Sequence, residues 1–154
     1  MPGARWTGGT FTLEAGVVVN ESIASSAAID ADKMQHVYKP GTNLGFAIGA
    51  TPTTREEIVY VASQAGTVRG FAALLNETGT SSSITFDLKK NGVTMLSSVV
   101  TITNATADRA VTAGTLSVTS FAADDVLSIS MAVSSSTGAQ GPFAFIELEE
   151  NQAP

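Results

Sequence analysis

The chain has 154 residues, 44% of them apolar and 14% charged, with a formal net charge of −6. That balance belongs to a globular chain and excludes a disordered one. The lack of cysteine excludes disulfides, thiolate metal sites and a cysteine nucleophile, the lack of a run of roughly eighteen apolar residues excludes a helical membrane span, and the lack of a basic stripe argues against nucleic acid as a partner.

The first forty or so residues differ from the rest. "MPGARWTGGTF" has no apolar core of the signal-peptide kind, so export by that route is not expected. "SSAAIDADKMQH" predicts a short helix: Ser25 or Ser26 can cap it, Asp30 and Asp32 suit its first turns, and Lys33 and His36 suit its end. From Ser22 to Tyr38 the main apolar groups are Ile23, Ile29, Met34, Val37 and Tyr38. Burying so few side chains does not offset the backbone entropy of ordering the segment. It must be held by its own domain, by sister subunits or by a larger assembly, and the last two are the expectation. Pro40-Gly41 breaks the pattern and sets a boundary near 41–45.

Beyond it the chain reads as strands. "FAIGA" (46–50) is a short one, and "EEIVYVA" (56–62) is apolar on both faces. In "GTVRGFAALLNET" (66–78) Gly70 marks a bulge. In "SITFDLKKNGVTML" (83–96) Ile84, Phe86 and Leu88 point one way and Thr85, Asp87 and Lys89 the other. Asn91-Gly92 then makes a type I′ turn, which sets Lys90 opposite Val93, Leu88 opposite Met95 and Ile84 opposite Val99. Leu96, Val100 and Ile102 fall on the other parity, so either a bulge near 96–98 or a strand apolar on both faces is needed. Strands follow at 99–103, 109–119, 125–133 and 142–149. Val126, Ile129 and Met131 share no parity, which places their strand near the centre of a sheet. In the last strand Phe143, Phe145 and Glu147 face one side, and Ala144, Ile146 and Leu148 the other.

Few residues suggest chemistry. His36 is the single histidine and has no second strong ligand or activated partner, so it reads as a helix-end or interface residue. Asp124-Asp125 could meet a calcium ion but sits where turns favour Asp. Glu147, Glu149 and Glu150 read as a solvated strand edge, and Glu56-Glu57 as surface. No G-x-S-x-G elbow or phosphate-cradling glycine pattern occurs. A sugar-binding sandwich wants an exposed aromatic platform. The single tryptophan, Trp6, lies in the arm, where it reads as an interface anchor, and the loop tips carry no stacking residue.

"SIASSAAIDADKMQH" resembles a segment near the start of many tailed-phage virion structural proteins. "AGTVRGFAALLNETGTSSSITFDLKKNGVTMLSS" and "AGTLSVTSFAADDVLSISMAV" resemble the β-sandwich that follows it. The resemblance implies a non-enzymatic virion component without cofactors, a capsid decoration (cement) or head-fibre protein. It would be made in the host cytoplasm and bound to the outer capsid surface, often as a homotrimer contacting the major capsid protein. The alternative is a receptor- or glycan-binding module on a fibre, with host-surface glycans as partner. The expected fold is all-β, a jelly-roll-like antiparallel β-sandwich of about eight strands, with an extended N-terminal arm containing a short helix. Residues 1–45 form the arm, 46–150 the sandwich and 151–154 a tail. The expected capsid or subunit interface is Trp6, Phe11, Ile23, Ile29, Met34, His36, Val37 and Tyr38.

Overall fold

A computed structural model describes residues 5–7, 10–12 and 36–150, with side chains from Val37 to Glu150. The strands are β1 (Arg5–Thr7), β2 (Thr10–Thr12), β3 (His36–Tyr38), β4 (Gly41–Thr42), β5 (Arg55–Val61), β6 (Gly66–Glu77), β7 (Ser81–Lys90), β8 (Val93–Thr94), β9 (Val100–Thr103), β10 (Thr112–Ala113), β11 (Ser120–Phe121), β12 (Val126–Thr137) and β13 (Gln140–Glu150). The protein is all-β, an antiparallel β-sandwich. In the first sheet β6 and β13 lie at the centre, with β10 and β11 on the β6 side and β3 and β4 on the β13 side. In the second, β12 lies between β5 and β7, and β8 and β9 pair with β7. β1 and β2 pair with each other.

Alternation builds the core. Ile84, Phe86 and Leu88 on β7, and Ala144, Ile146 and Leu148 on β13, point between the sheets and are fully buried. On β6 the buried set changes parity, from Val68 to Phe71, Ala73 and Leu75. The cause is a bulge: Leu148 opposes Val68 and Glu147 opposes Gly70, so Arg69 is the extra residue. The expected bulge beside Gly70 is therefore present. β12 is an inner strand as expected, between β5 and β7, but its buried apolar residues Leu127, Ile129 and Met131 share one parity, with Val126 half-buried and Ser128 buried off it.

The Asn91-Gly92 turn has positive φ at both residues and sets Lys90 opposite Val93. The register then departs from the hairpin expectation, with Ile84 opposite Ile102 rather than Val99. The chain leaves the sheet after Met95, whose N–H donates to the Leu88 carbonyl, and Leu96 bridges to Leu116. This excursion, longer than a bulge, lets both Met95 and Leu96 be buried.

Three strand expectations are corrected. Residues 46–50 form turns, because Leu44 and Gly45 take positive φ and Phe46 N–H and Ala50 N–H close onto the Asn43 and Ala47 carbonyls. The expected strand 109–119 is a stitch between layers. Its β10 pairs with β6, Ser97 N–H then donates to the Thr115 carbonyl, and Val68 N–H donates to the Thr119 carbonyl back in the first sheet. The last strand is no solvated edge, since β6 lies on one side of it and β3 and β4 on the other.

The expected helix falls on residues outside the described ones, except at His36, which begins β3. Residues 36–45, assigned from sequence to the arm, are bonded into the sandwich. Glu150, Glu149 and Leu148 oppose His36, Val37 and Tyr38, and the Leu44 side chain is fully buried in the core.

Glu150 ties the end of β13 to the β5–β6 turn. Its carboxylate accepts hydrogen bonds from the Ser63 N–H and Oγ, both at 2.9 Å, and from the Gln64 N–H at 3.2 Å. Burial raises the pKa of this carboxyl, but the bonds from Gln64, Tyr60 and Ser63 outweigh it and hold it below the ordinary glutamate value. A depressed folded-state pKa adds stability above the unfolded pKa, and that stability fades as pH falls through the folded one. Glu150→Gln should therefore lower the urea midpoint at pH 7 and flatten its decline from about pH 5 to pH 3. An unchanged pH profile would exclude Glu150 as a contributor.

Candidate functional site

The two outer faces of the sandwich differ. On the second sheet β7 presents Ser83, Thr85, Asp87 and Lys89 outward, and Lys89 pairs with Glu56 at 2.8 Å. On the first sheet the outward positions midway along β6 and β13 are apolar, with Leu74 opposite Phe143 and Ala72 opposite Phe145, before Glu147 and Glu149 follow on β13. The Phe143 and Phe145 rings lie 6.4 Å apart, and Phe143 is 38% exposed. For a large aromatic side chain on a sheet face this is an unusual exposure.

At the Gln140 end of β13 this face becomes a groove of about 780 Å³, within the range of small-molecule sites. Leu74, Phe143 and Gly41 belong to the sheet beneath it, Phe46 and Ile48 to the loop on the β4 side, and Asn76 and Arg109 to the β6 side.

Local chemistry sets this shape. Thr42 Oγ1 donates to Glu57 Oε2 at 2.5 Å and accepts from the Leu44 N–H at 2.9 Å. Asn43 Oδ1 accepts from the Gly45 N–H, an Asx turn. Leu44 takes φ 53, costly for a bulky residue, and its burial holds it there. The turn places Phe46 beneath Arg55, whose guanidinium lies 5.8 Å from the ring centroid. Gly41 leaves room for Phe143: a Cβ there would sit 2.7 Å from Cζ of that ring. On the far side Asp108 Oδ1 accepts from the Thr78 N–H and Oγ1 at 2.7 and 2.9 Å. Those two bonds, opposed by desolvation and aided by Arg109 nearby, hold the Asp108 carboxyl below its ordinary value. The next residue, Arg109, donates its N–H to the Leu75 carbonyl and its Nε to Asn76 Oδ1, both at 2.9 Å.

Among the described residues, none of those expected at an interface lines this groove. Trp6 and Phe11 are cross-strand partners in the β1–β2 hairpin. Ile23, Ile29 and Met34 are outside the described residues. His36, Val37 and Tyr38 form β3, opposite the Glu150 end of β13, whereas the groove lies at the Gln140 end. Val37 is 51% and Tyr38 42% exposed.

Asp125 serves its turn: its carboxylate accepts from the Ala122 N–H at 2.8 Å and from Asn91 Nδ2 at 2.6 Å. Among the described residues, no group of three or more histidine and carboxylate side chains is placed to hold a metal. Glu147 pairs with Lys39 at 3.2 Å and Glu149 with Arg69.

An aromatic platform was not expected, with the single tryptophan in the arm and no stacking residue at the loop tips. The signal was in the last strand: Phe143 and Phe145 are out of phase with the core trio Ala144, Ile146 and Leu148, so both had to face outward. Nothing local marked Phe46, Asn76 or Arg109.

No family model matches the chain, and no curated protein matches it. Among solved structures it is similar to the C-terminal domain of EclA, a sugar-binding protein, at 11% identity over 81% of this chain and 84% of that one, with a TM-score of 0.33.

Proposed function

We propose that the chain is a non-enzymatic binding module that takes a saccharide in the groove on its first sheet. The observation that carries this reading is one open site with the exposed Phe143 ring beside the amides of Asn43 and Asn76, the Thr42 hydroxyl and the Arg109 guanidinium. Ring faces receive the C–H face of a pyranose, and amides and guanidinium answer its hydroxyls. A glycan array probed with the labelled protein should show binding. Phe143→Ala should weaken the affinity by about 1–2 kcal/mol, roughly five- to thirtyfold, in calorimetric titration. A blank array, or full affinity in Phe143→Ala, would remove the reading.

The module is further proposed to sit on a tailed-phage particle through its N-terminal segment, as the resemblance of residues 22–36 implies. The strand orders, β4–β13–β6 with β10 and β11 against β5–β12–β7 with β9, support a jelly-roll reading, an architecture that hosts both capsid and lectin domains. A decoration role, as a homotrimer on the major capsid protein of the outer head, is the second reading. Its support is the exposure of Val37 and Tyr38 on the outermost strand, where two expected anchors are open to a protein partner.

A further inference from the structure

The cations of the sandwich fall into two groups. Lys39, Arg69, Lys89 and Lys90 each have a carboxylate within ion-pair distance: Glu147, Glu149, Glu56 and Asp125. Arg55 and Arg109 have none among the described residues. Arg55 covers Phe46, a groove residue, and Arg109 lines the site directly. Phe46, under Arg55, lines the β4 side of the groove, and Arg109, bonded to Asn76, lines the β6 side. None of the lining residues is acidic.

In a chain of net charge −6 this arrangement has a physical reading. Acidic partners were at hand, and they neutralise the cations elsewhere. Arg109 stands beside the Asp108 carboxylate without forming an ion pair with it, and Arg55 over Phe46 has none either, so two unpaired guanidinium groups give this end of the sheet a local positive potential in an otherwise negative molecule. The surroundings hold both groups in place. Gly45 has φ +73, and a Cβ there would lie 2.7 Å from an Arg55 Nη atom, so the turn is shaped around this guanidinium. Arg109 commits its Nε to Asn76, and its terminal nitrogens have no partner among the described residues. A flat guanidinium edge matches two coplanar carboxylate oxygens.

We infer that the groove selects carboxylate-bearing saccharides, glycans with a sialic or uronic acid unit. Arg109 takes the carboxylate, Arg55 adds longer-range attraction, and Phe143 packs against the C–H face of the sugar. This rests on the saccharide reading above and names its ligand class.

The test is calorimetric titration of the full chain with matched pairs: 3′-sialyllactose against lactose, and trigalacturonate against galactotriose. The acidic member should bind about tenfold or more tightly at low salt, the yield of one charge-assisted contact. The ratio should shrink as sodium chloride rises. Arg109→Gln should bring the ratio towards one, Arg55→Gln should lower it in part, and Arg69→Gln, away from the groove, should leave it as it was. Equal affinity within each pair, or an acidic preference that survives the Arg109→Gln/Arg55→Gln double variant, would overturn the acidic selection while leaving the groove a neutral-sugar site. Binding to sulfated but not carboxylated saccharides would also overturn it. If no member of any pair binds and Phe143→Ala changes nothing, the saccharide reading itself falls and this inference with it.

Discussion

A chain that begins at residue 36 should fold and keep its groove, and one that begins at residue 46 should not. Residues 36–45 supply β3 and β4, which cover one side of β13. The Pro40 carbonyl accepts from the Ile146 N–H at 3.0 Å, Thr42 binds Glu57, and Leu44 is wholly buried. Loss of a buried leucine side chain alone costs about 2–5 kcal/mol, against a domain stability of about 5–15 kcal/mol. The shorter chain would also expose the edge of β13, a site for aggregation. Circular dichroism melts should show a cooperative transition for the 36–154 chain, within a few degrees of the full chain, and a lost or collapsed one for 46–154. The 36–154 chain also tests attachment. Under the proposed attachment through the N-terminal segment, native mass should fall to that of a monomer, and co-sedimentation with the proposed phage particle should be lost. Unchanged mass and unchanged co-sedimentation would remove the attachment role.

The second large effect is expected at Gly141. Its φ is +58, its N–H donates to the Ala50 carbonyl at 3.0 Å, and a Cβ there would fall well inside contact distance of the Ile48 carbonyl oxygen and 2.9 Å from the Asn76 Cβ. The two neighbours belong to opposite sides of the groove. Gly141→Ala should cost about 3 kcal/mol or more, combining left-handed strain of about 1–2 kcal/mol with overpacking of about 1–3 kcal/mol. Displacing the 48–50 loop should abolish saccharide binding as well. Gly92→Ala is the control. Gly92 also has positive φ (+81), but a Cβ there meets nothing within 4 Å, so it should cost only about 1 kcal/mol and leave binding intact. Equal urea midpoints for the two variants would show that the loop contact at Gly141 does not matter.

The strands legible in the sequence were those whose burial is periodic. β7 and β13 alternate with period two because each has one face in the core. β12 alternates as well at Leu127, Ile129 and Met131, and its parity was obscured by Val126, which is only half-buried, and by the buried Ser128. The turns at 46–50 were missed because "FAIGA" is apolar for another reason: Phe46 packs against the core edge under Arg55. The groove was hidden more deeply. Phe46, Asn76, Arg109 and Phe143 come from four separate stretches, and each is unremarkable in its own window.

Local order along the chain was enough to determine the all-β class, the Asn91-Gly92 turn with Lys90 opposite Val93, the bulge beside Gly70, and the parity that sets Phe143 and Phe145 opposite Ala144, Ile146 and Leu148. These depend on φ/ψ preference and side-chain parity, which act within a few residues. The tertiary structure alone decided that β13 is an inner strand, that Ile84 meets Ile102, that residues 36–45 complete a sheet, and that Arg109 lines the groove without an ion pair among the described residues. Those outcomes rest on pairings between segments far apart in sequence, which form only when the whole core is buried together.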